Sequence, residues 1–391
     1  MNRTPLAWKN LTHQPARTIV SIGGIAFAVM LMFMQLGFLG AVGDTATKVY
    51  DRLPFEIILR SPEYLHAYDP RSIPRNTALQ VAAMPEVFAV KPLSLGISTW
   101  QNPSTYEFRA VAVMGVDPNN SPLALPEVSQ QLPLLLHDDY VLIDRTSNAD
   151  LGPANGQSFS SADVGRTTDV LGSSMRIAGT FEMGTGLAAN GQIITSEAGF
   201  RQVMPGTDPD HVSLLLVRLR DGQDAATARL QIEQRLQQLG GEVAHTRVLT
   251  MDQAVEAERR RWYTETPVGV IFGMGVGLAV IVGGVICYMV LAADVLSHLP
   301  EYATLKAIGY SNAFLGKVLL AQATILAAVA MPPALVGSLV LYELTSRFAD
   351  LPIRMTLLRV GLVALLSLLM CSVAGMIALR KLSKAEPANL F

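Results

Sequence analysis

The stretch that decides the fold runs from Thr18 to Gly43 and reads TIVSIGGIAFAVMLMFMQLGFLGAVG. Its 26 residues include no Asp, Glu, Lys or Arg. A helix needs roughly 20 apolar residues to cross the hydrocarbon core of a bilayer. Within lipid the backbone must satisfy its own hydrogen bonds, so a helix is predicted here. Three more charge-free runs follow: Thr266 to Ala293, Val318 to Tyr342 and Val360 to Leu379, of 28, 25 and 20 residues. One such run could be a buried helix of a soluble protein. Four, each bounded by charges, read as four membrane spans. The first run exceeds the roughly 7–15 residues of a signal-peptide core and has no clear A-x-A site after it, so it reads as a retained anchor.

Composition agrees with this reading. Charged residues make up 16% of the 391-residue chain and hydrophobic residues 50%, with a mean hydropathy of +0.34. Soluble domains carry about 25% charged residues. Basic residues set the expected orientation. Arg3, Lys9 and Arg17 precede the first run with no acidic residue among them, and Arg380, Lys381 and Lys384 follow the last, opposed only by Glu386. Cytoplasmic flanks are rich in Lys and Arg, so both termini are expected inside. Asp44 to Glu265 then lies outside, the loop Asp294 to Lys317 inside, and the short loop Glu343 to Arg359 outside. The three Arg of that last loop are a mild exception to the rule. The outer segment holds 27 acidic and 19 basic residues, a net of −8, while the remainder is net +6. Neither charge is large enough to indicate nucleic acid as a partner. Both cysteines, Cys287 and Cys371, fall in predicted spans, and the Cys/His spacing offers no zinc site.

The 222 residues from Asp44 to Glu265 are ample for a folded domain. Strands are expected at 55–59, 87–99, 108–116, 140–143, 176–181, 192–195, 212–219 and 247–249, and a short helix at 76–83. Asp224 to Leu239 reads as an amphipathic helix, with Ala225, Ala228, Ile232, Leu236 and Leu239 on one face and Gly240-Gly241 as its stop. The Gly-, Ser-, Pro- and Asp-rich middle, about 118–204, reads as a mostly β insertion into an α/β part built from both flanks. Met251 to Tyr263 reads as a polar helical stalk leading into the second span. The expected fold class is therefore a membrane α-helical protein of four transmembrane helices, with a large α/β plus β extracytoplasmic domain inserted between helices 1 and 2. Four spans rarely enclose a wide path alone, which favours a symmetric homodimer.

The inner loop is the most informative stretch. Pro300 suits a first helical position and Gly309 a helix stop. Glu301 near the helix start and Lys306 nearer its end suit the macrodipole. Tyr302, Leu305 and Ile308 recur every three residues, and Ala303 and Ala307 widen the stripe. A short amphipathic helix at the inner membrane surface results, and on pattern alone it could merely anchor the loop.

Glu301, Leu305, Lys306, Ala307, Ile308 and Gly309 nonetheless resemble the coupling loop of FtsX/MacB-type ABC transporter permeases. Leu6 to Leu11, Arg17 and the Gly23-Gly24-Ile25-Ala26 run resemble that family's N-terminal amphipathic helix, placed here at residues 1–17, and its first span. Arg380 to Pro387, with Leu390, resembles its closing basic segment. The run Tyr302 to Tyr310 is most similar to DevC-type permeases, the membrane subunits of exporters such as the heterocyst glycolipid exporter of cyanobacteria. The resemblance implies a permease whose loop residues Glu301, Tyr302, Leu305, Lys306, Ile308 and Gly309 dock into a groove of a cytoplasmic ABC ATPase dimer. It further implies a periplasmic adaptor (membrane fusion protein), an outer-membrane channel, and a lipid or other amphiphile as cargo. The chain lacks G-x-x-x-x-G-K-[ST]. Gly309 to Lys317 has the wrong spacing, with Val318 in place of the hydroxyl residue. No cofactor of its own is therefore expected, ATP being bound by the partner subunit. Alternatives are a non-transporting FtsX-like regulator of an outer-surface hydrolase and a membrane-anchored sensor.

Other motifs read more blandly. Gly269, Gly273 and Gly277 form a small-xxx-small repeat that serves either packing within the chain or contact with a second copy. Gln35 and Gln322 suit hydrogen bonds between helices, and Pro332-Pro333 should kink the third span. His137-Asp138-Asp139 reads as a solvated turn rather than a metal site or base, and Arg259-Arg260-Arg261 as a solvated stalk face. No metal site is expected.

Overall fold

The computed structural model describes residues 15–184, 189–297, 308, 311–349 and 353–383. The amphipathic segment up to residue 14, most of the inner loop and the tail from residue 384 lie outside the described residues. The chain divides into a membrane unit, Met1–Val42 with Glu265–Phe391, and an outer unit, Gly43–Thr264.

The outer unit is organised by eleven strands: β1 (Ile57–Arg60), β2 (Ile73–Pro74), β3 (Val87–Gln101), β4 (Phe108–Val116), β5 (Tyr140–Asp144), β6 (Thr167–Val170), β7 (Ser173–Phe181), β8 (Gln192–Ser196), β9 (His211–Val212), β10 (Leu214–Leu219) and β11 (Arg247–Thr250). Nine of them form one sheet in the order β11-β1-β10-β3-β4-β8-β5-β7-β6, and β2 pairs with β9 separately. The nine helices, α1 (Pro15–Thr47), α2 (Thr77–Ala82), α3 (Pro126–Gln131), α4 (Glu197–Val203), α5 (Ala225–Leu239), α6 (Met251–Thr264), α7 (Pro267–Ser297), α8 (Asn312–Ala349) and α9 (Leu357–Ser383), are those among the described residues.

Strand β3 explains how the sheet is divided. Its first half, Val87 to Leu93, pairs with β10, and its second half, Ser94 to Gln101, pairs with β4. The pair Trp100↔Val170 then brings β6 back onto β3, closing β3-β4-β8-β5-β7-β6 into a barrel. The barrel is filled by Trp100, Val111, Val113, Val141, Ile143, Phe159, Ile177 and Ile193. Trp100 sits edge-on to Phe159 and donates from Nε1 to the Leu151 carbonyl at 2.9 Å.

The open half of the sheet is covered on both faces, which is why β1 and β10 are apolar at consecutive positions rather than alternately. Ile57, Leu59, Leu215 and Val217 face Val81 of α2 and Ile232 and Leu236 of α5. Ile58, Leu214 and Leu216 face Tyr50, Leu53 and Ala254 of α6. Helix α5 begins at Asp224, whose side chain accepts from the Thr227 amide at 2.8 Å. It ends at Gly240 and Gly241, both at positive φ (70° and 65°), a conformation that glycine adopts without the penalty a Cβ brings.

The β-rich part is drawn differently from the expectation. It does not begin near residue 118, because β3 and β4 are integral strands of the barrel. It also contains helices α3 and α4, which the Gly- and Ser-rich composition concealed. The separation of Val212 from Leu214–Leu219 into two strands, and strand β6, were also beyond the sequence pattern.

Among the described residues, four helices are long and apolar enough to cross a membrane: Thr18–Thr47, Pro267–Ser297, Gly316–Ser346 and Leu357–Ala378. Their shared core is rich in small residues, among them Ala279, Ala323, Ala327, Ala330, Ala374 and Ala378, beside Ile25, Phe33, Leu291 and Leu326. Small side chains let helix backbones approach closely where lipid supplies no hydrophobic drive between helices. Ile271, Met274, Leu278 and Ile281 of α7 stay exposed, as lipid-facing residues should. Helix α8 continues through Pro332 and Pro333, which deprives the carbonyls of Ala328 and Val329 of their intrahelical donors.

Replacing Trp100 by Ala should empty the barrel core and remove the bond to Leu151. The expected cost is about 3–5 kcal/mol of outer-domain stability, read as a lower thermal midpoint of the full-length protein. An unchanged midpoint would show that the barrel does not depend on this residue.

Candidate functional site

The sequence placed the functional residues at the inner loop. Glu301, Tyr302, Leu305, Lys306 and Gly309 lie outside the described residues; Ile308 is described and is 71% exposed. Of the glycine repeat on α7, Gly273 and Gly277 have open space where a Cβ would stand, and Gly269 donates its amide to Thr266 Oγ1 at 3.2 Å. The close approaches within the membrane unit fall at other glycines, where Gly275 packs on Gln35 and Gly283 on Met370 and Ala28.

A second constellation, which the sequence reading passed over, lies where the chain joins the outer domain. Glu258, on α6, is 1% exposed. Leaving a carboxylate without donors in such a place costs several kcal/mol, and three donors converge on it. Tyr64 donates to Oε2 at 2.7 Å, while the Ala67 amide and Trp262 Nε1 each donate to Oε1 at 3.1 Å. Since the Tyr64 proton is committed to Glu258, Tyr50 must donate to the Tyr64 oxygen in their very short hydroxyl contact. The Arg60 guanidinium lies 4.0 Å from the centre of the Tyr64 ring. Arg261 adds a bond to the Tyr64 carbonyl at 2.9 Å.

The chain Tyr50–Tyr64–Glu258 thus ends on a carboxylate, with the Arg60 guanidinium over the face of the central ring. Burial, reinforced by the Glu258 charge, pushes both tyrosines above their ordinary range, so they remain protonated donors at any physiological pH. Four segments meet here: the turn after α1 (Tyr50), the end of β1 (Arg60), the loop after it (Tyr64, Ala67) and α6 (Glu258, Trp262). The first and last are the segments by which the domain joins the first and second spans.

Beside this network opens a cleft of about 820 Å³, between the open sheet and the barrel. Tyr68, Arg75, Leu95, Ile97, Phe200 and Met204 line it. An ion pair, Arg75–Glu197 at 2.9 Å, ties its walls. His137-Asp138-Asp139 does form a turn: Asp138 accepts from Ser196 Oγ at 3.0 Å and the His137 ring lies against Tyr140. Among the described residues no group of three or more His, Cys, Asp or Glu is placed to hold a metal ion.

Two family models match the chain. Residues 18–235, more than half of the chain, match the family described as the MacB-like periplasmic core domain. Residues 273–387 match the FtsX-like permease C-terminal family. The search of curated proteins found no match. Among solved structures, the periplasmic region of MacB from Actinobacillus actinomycetemcomitans is 10% identical, with 52% of this chain and 92% of that one covered and a TM-score of 0.37. The extracellular domain of the noncanonic ABC-type transporter YknZ from Gram-positive bacteria is 13% identical, over 50% of this chain and 98% of that one, with a TM-score of 0.35.

His66 gives the network a measurable handle. Its Nδ1 accepts from the Tyr68 amide at 3.2 Å and its ring lies beside Trp262. Burial holds the imidazole below its usual 6.5, with a smaller contribution from the Arg261 charge, against the opposing pull of Glu258 and Asp69. The neutral ring is favoured in the fold. This contribution to stability is therefore present above pH 6.5 and lost as pH falls through the window below it. Thermal unfolding should show a midpoint that drops between about pH 7 and 5, and His66→Asn should flatten that drop. Equal slopes in both proteins would exclude His66 as its source.

Proposed function

The chain belongs to the FtsX/MacB-type family of permeases, and we propose that it is the membrane subunit of an ABC-type export system whose ATPase is a separate cytoplasmic subunit. The observation that carries this reading is the joining, in one chain without a Walker A motif, of a MacB-like outer core and an FtsX-like permease half. Its setting is the cytoplasmic (inner) membrane, with both termini inside and the outer unit in the periplasm.

The coupling begins at the inner loop. An ABC ATPase dimer receives Tyr302, Leu305 and Ile308 in an apolar groove, with Glu301 and Lys306 flanking it and Gly309 ending the helix. The exposure of Ile308 supports this placement. Displacement of the loop moves α7, into which it leads, and α7 is separated from α6 by only Glu265 and Thr266. The Glu258 network then fastens α6 to the turn that follows α1. Motion of one span relative to another is in this way delivered to the outer domain instead of being absorbed at its attachments.

The driven domain works on a periplasmic adaptor and, through it, an outer-membrane channel. The permease acts as a homodimer, with Gly273 and Gly277 of the repeat facing the second copy, as the open space at both supports, while Gly269 is buried within its own chain. The likeness of Tyr302–Tyr310 to DevC-type loops favours a lipid or other amphiphile as cargo.

Co-purification with the candidate ATPase tests the central step. Leu305→Asp and Glu301→Lys should each abolish stimulated ATP hydrolysis or the complex itself, with membrane insertion intact. Full coupling in both variants would remove the loop from the mechanism. Glu258→Ala should leave ATPase binding in place while lowering outer-domain stability by about 3–5 kcal/mol, because removing one partner strands the rest of a buried charged network.

A further inference from the structure

The chain contains two cysteines, Cys287 on α7 and Cys371 on α9, and the fold brings them together. Both are fully buried in the apolar core of the membrane unit, and both are free thiols. The helix seam around them is fixed by two contacts. A Cβ on Gly375 would lie 3.6 Å from Leu291 Cδ1, and one on Gly283 would lie 2.5 Å from Met370 Sδ. Cys371 comes four residues before Gly375 and Cys287 four before Leu291, about one helical turn along the same seam. The same register sets the two thiols side by side within one buried cluster.

A single buried thiol behaves as a small apolar side chain. Two set side by side across a helix seam offer more, because each can resolve oxidation of the other.

We propose that Cys287 and Cys371 form a modification site, at which a hydroperoxide dissolved in the bilayer oxidises the pair to an intramembrane disulfide that pins α7 to α9. The sulfur of one thiol attacks the terminal oxygen of the hydroperoxide. The O–O bond breaks, and the alkoxide leaves as an alcohol with that thiol's proton. The second sulfur then attacks the sulfenic sulfur; the S–S bond forms, the S–O bond breaks, and hydroxide leaves as water with the second proton. Two thiols are oxidised and one peroxide is reduced to an alcohol and water. Hydrocarbon surroundings exclude charged reagents dissolved in water, so bilayer-soluble peroxides are the fitting oxidants. The resolving sulfur stands across the same seam, which diverts the sulfenic acid from further oxidation. Pinning α7 would also arrest the inner loop; that consequence rests on the proposed function, whereas the thiol chemistry does not.

The full-length protein in native membranes is treated with cumene hydroperoxide, denatured and digested with trypsin, which cuts after Lys306 and Lys317. Without reductant, the fragments bearing Cys287 and Cys371 should migrate together and lose maleimide labelling. Dithiothreitol should separate them and restore it. Cys287→Ser and Cys371→Ser should each abolish the linkage. Separate fragments with both thiols still reactive would overturn the proposal, as would linkage between two copies or sulfinic acid at one cysteine alone. In the complex with its ATPase, oxidation should abolish stimulated hydrolysis in the wild type and spare Cys287→Ser. Unchanged hydrolysis with the disulfide formed would overturn the pinning. The linkage is read without the ATPase, so its failure is distinct from a failure of coupling.

Discussion

A carboxylate buried in protein must be met by donors or it will not stay charged, and Glu258 makes that requirement structural. Its partners come from positions 64, 67 and 262, and through Tyr64 from 50 and 60. No local segment could supply them. The need to satisfy one charge therefore forces the start and the end of a 222-residue domain to meet at one place. Hydrophobic burial alone would tolerate small slips at this junction, whereas short, directional hydrogen bonds do not. A domain fastened this way has little slack between its two connections to the spans.

The membrane half was legible because lipid imposes a severe filter. Charge-free runs of sufficient length have few other meanings, and all four predicted spans coincide, to within one residue at Thr266 and Leu379, with stretches long and apolar enough to cross a bilayer. Much of the outer domain's secondary structure was legible as well, since β3, β4 and α5 carry clear periodicity and stop signals such as Gly240-Gly241. Pairing was not legible. Nothing in the residues of β3 says that Leu93 faces β10 while Ser94 faces β4, and parallel pairs such as β4–β8 leave no turn signal between neighbours.

The Glu258 network escaped the reading for a related reason. Arg259-Arg260-Arg261 drew attention as a charge run, and the lone acid before it did not. One signal was available: at helical spacing, Ala254, Glu258 and Trp262 share a face, and an acid between an alanine and a tryptophan is out of place on a solvated stalk. The two cysteines gave even less. Each sits in a different span, and only the helix seam sets them side by side.

The pairing of β1 has a consequence in time. This strand lies at the head of the outer domain, yet its neighbours are β10 and β11, whose residues pair with it from positions 214 to 250. While the chain is being made, Ile57 to Arg60 must wait beside the membrane as an apolar strand with both edges open. The barrel, completed by residue 196, can assemble in the meantime on the far half of β3. The open sheet closes only as the second span approaches the translocation machinery. Until then an unpaired strand is exposed to whatever else is in the periplasm, and a chaperone that shields strand edges would find its task there.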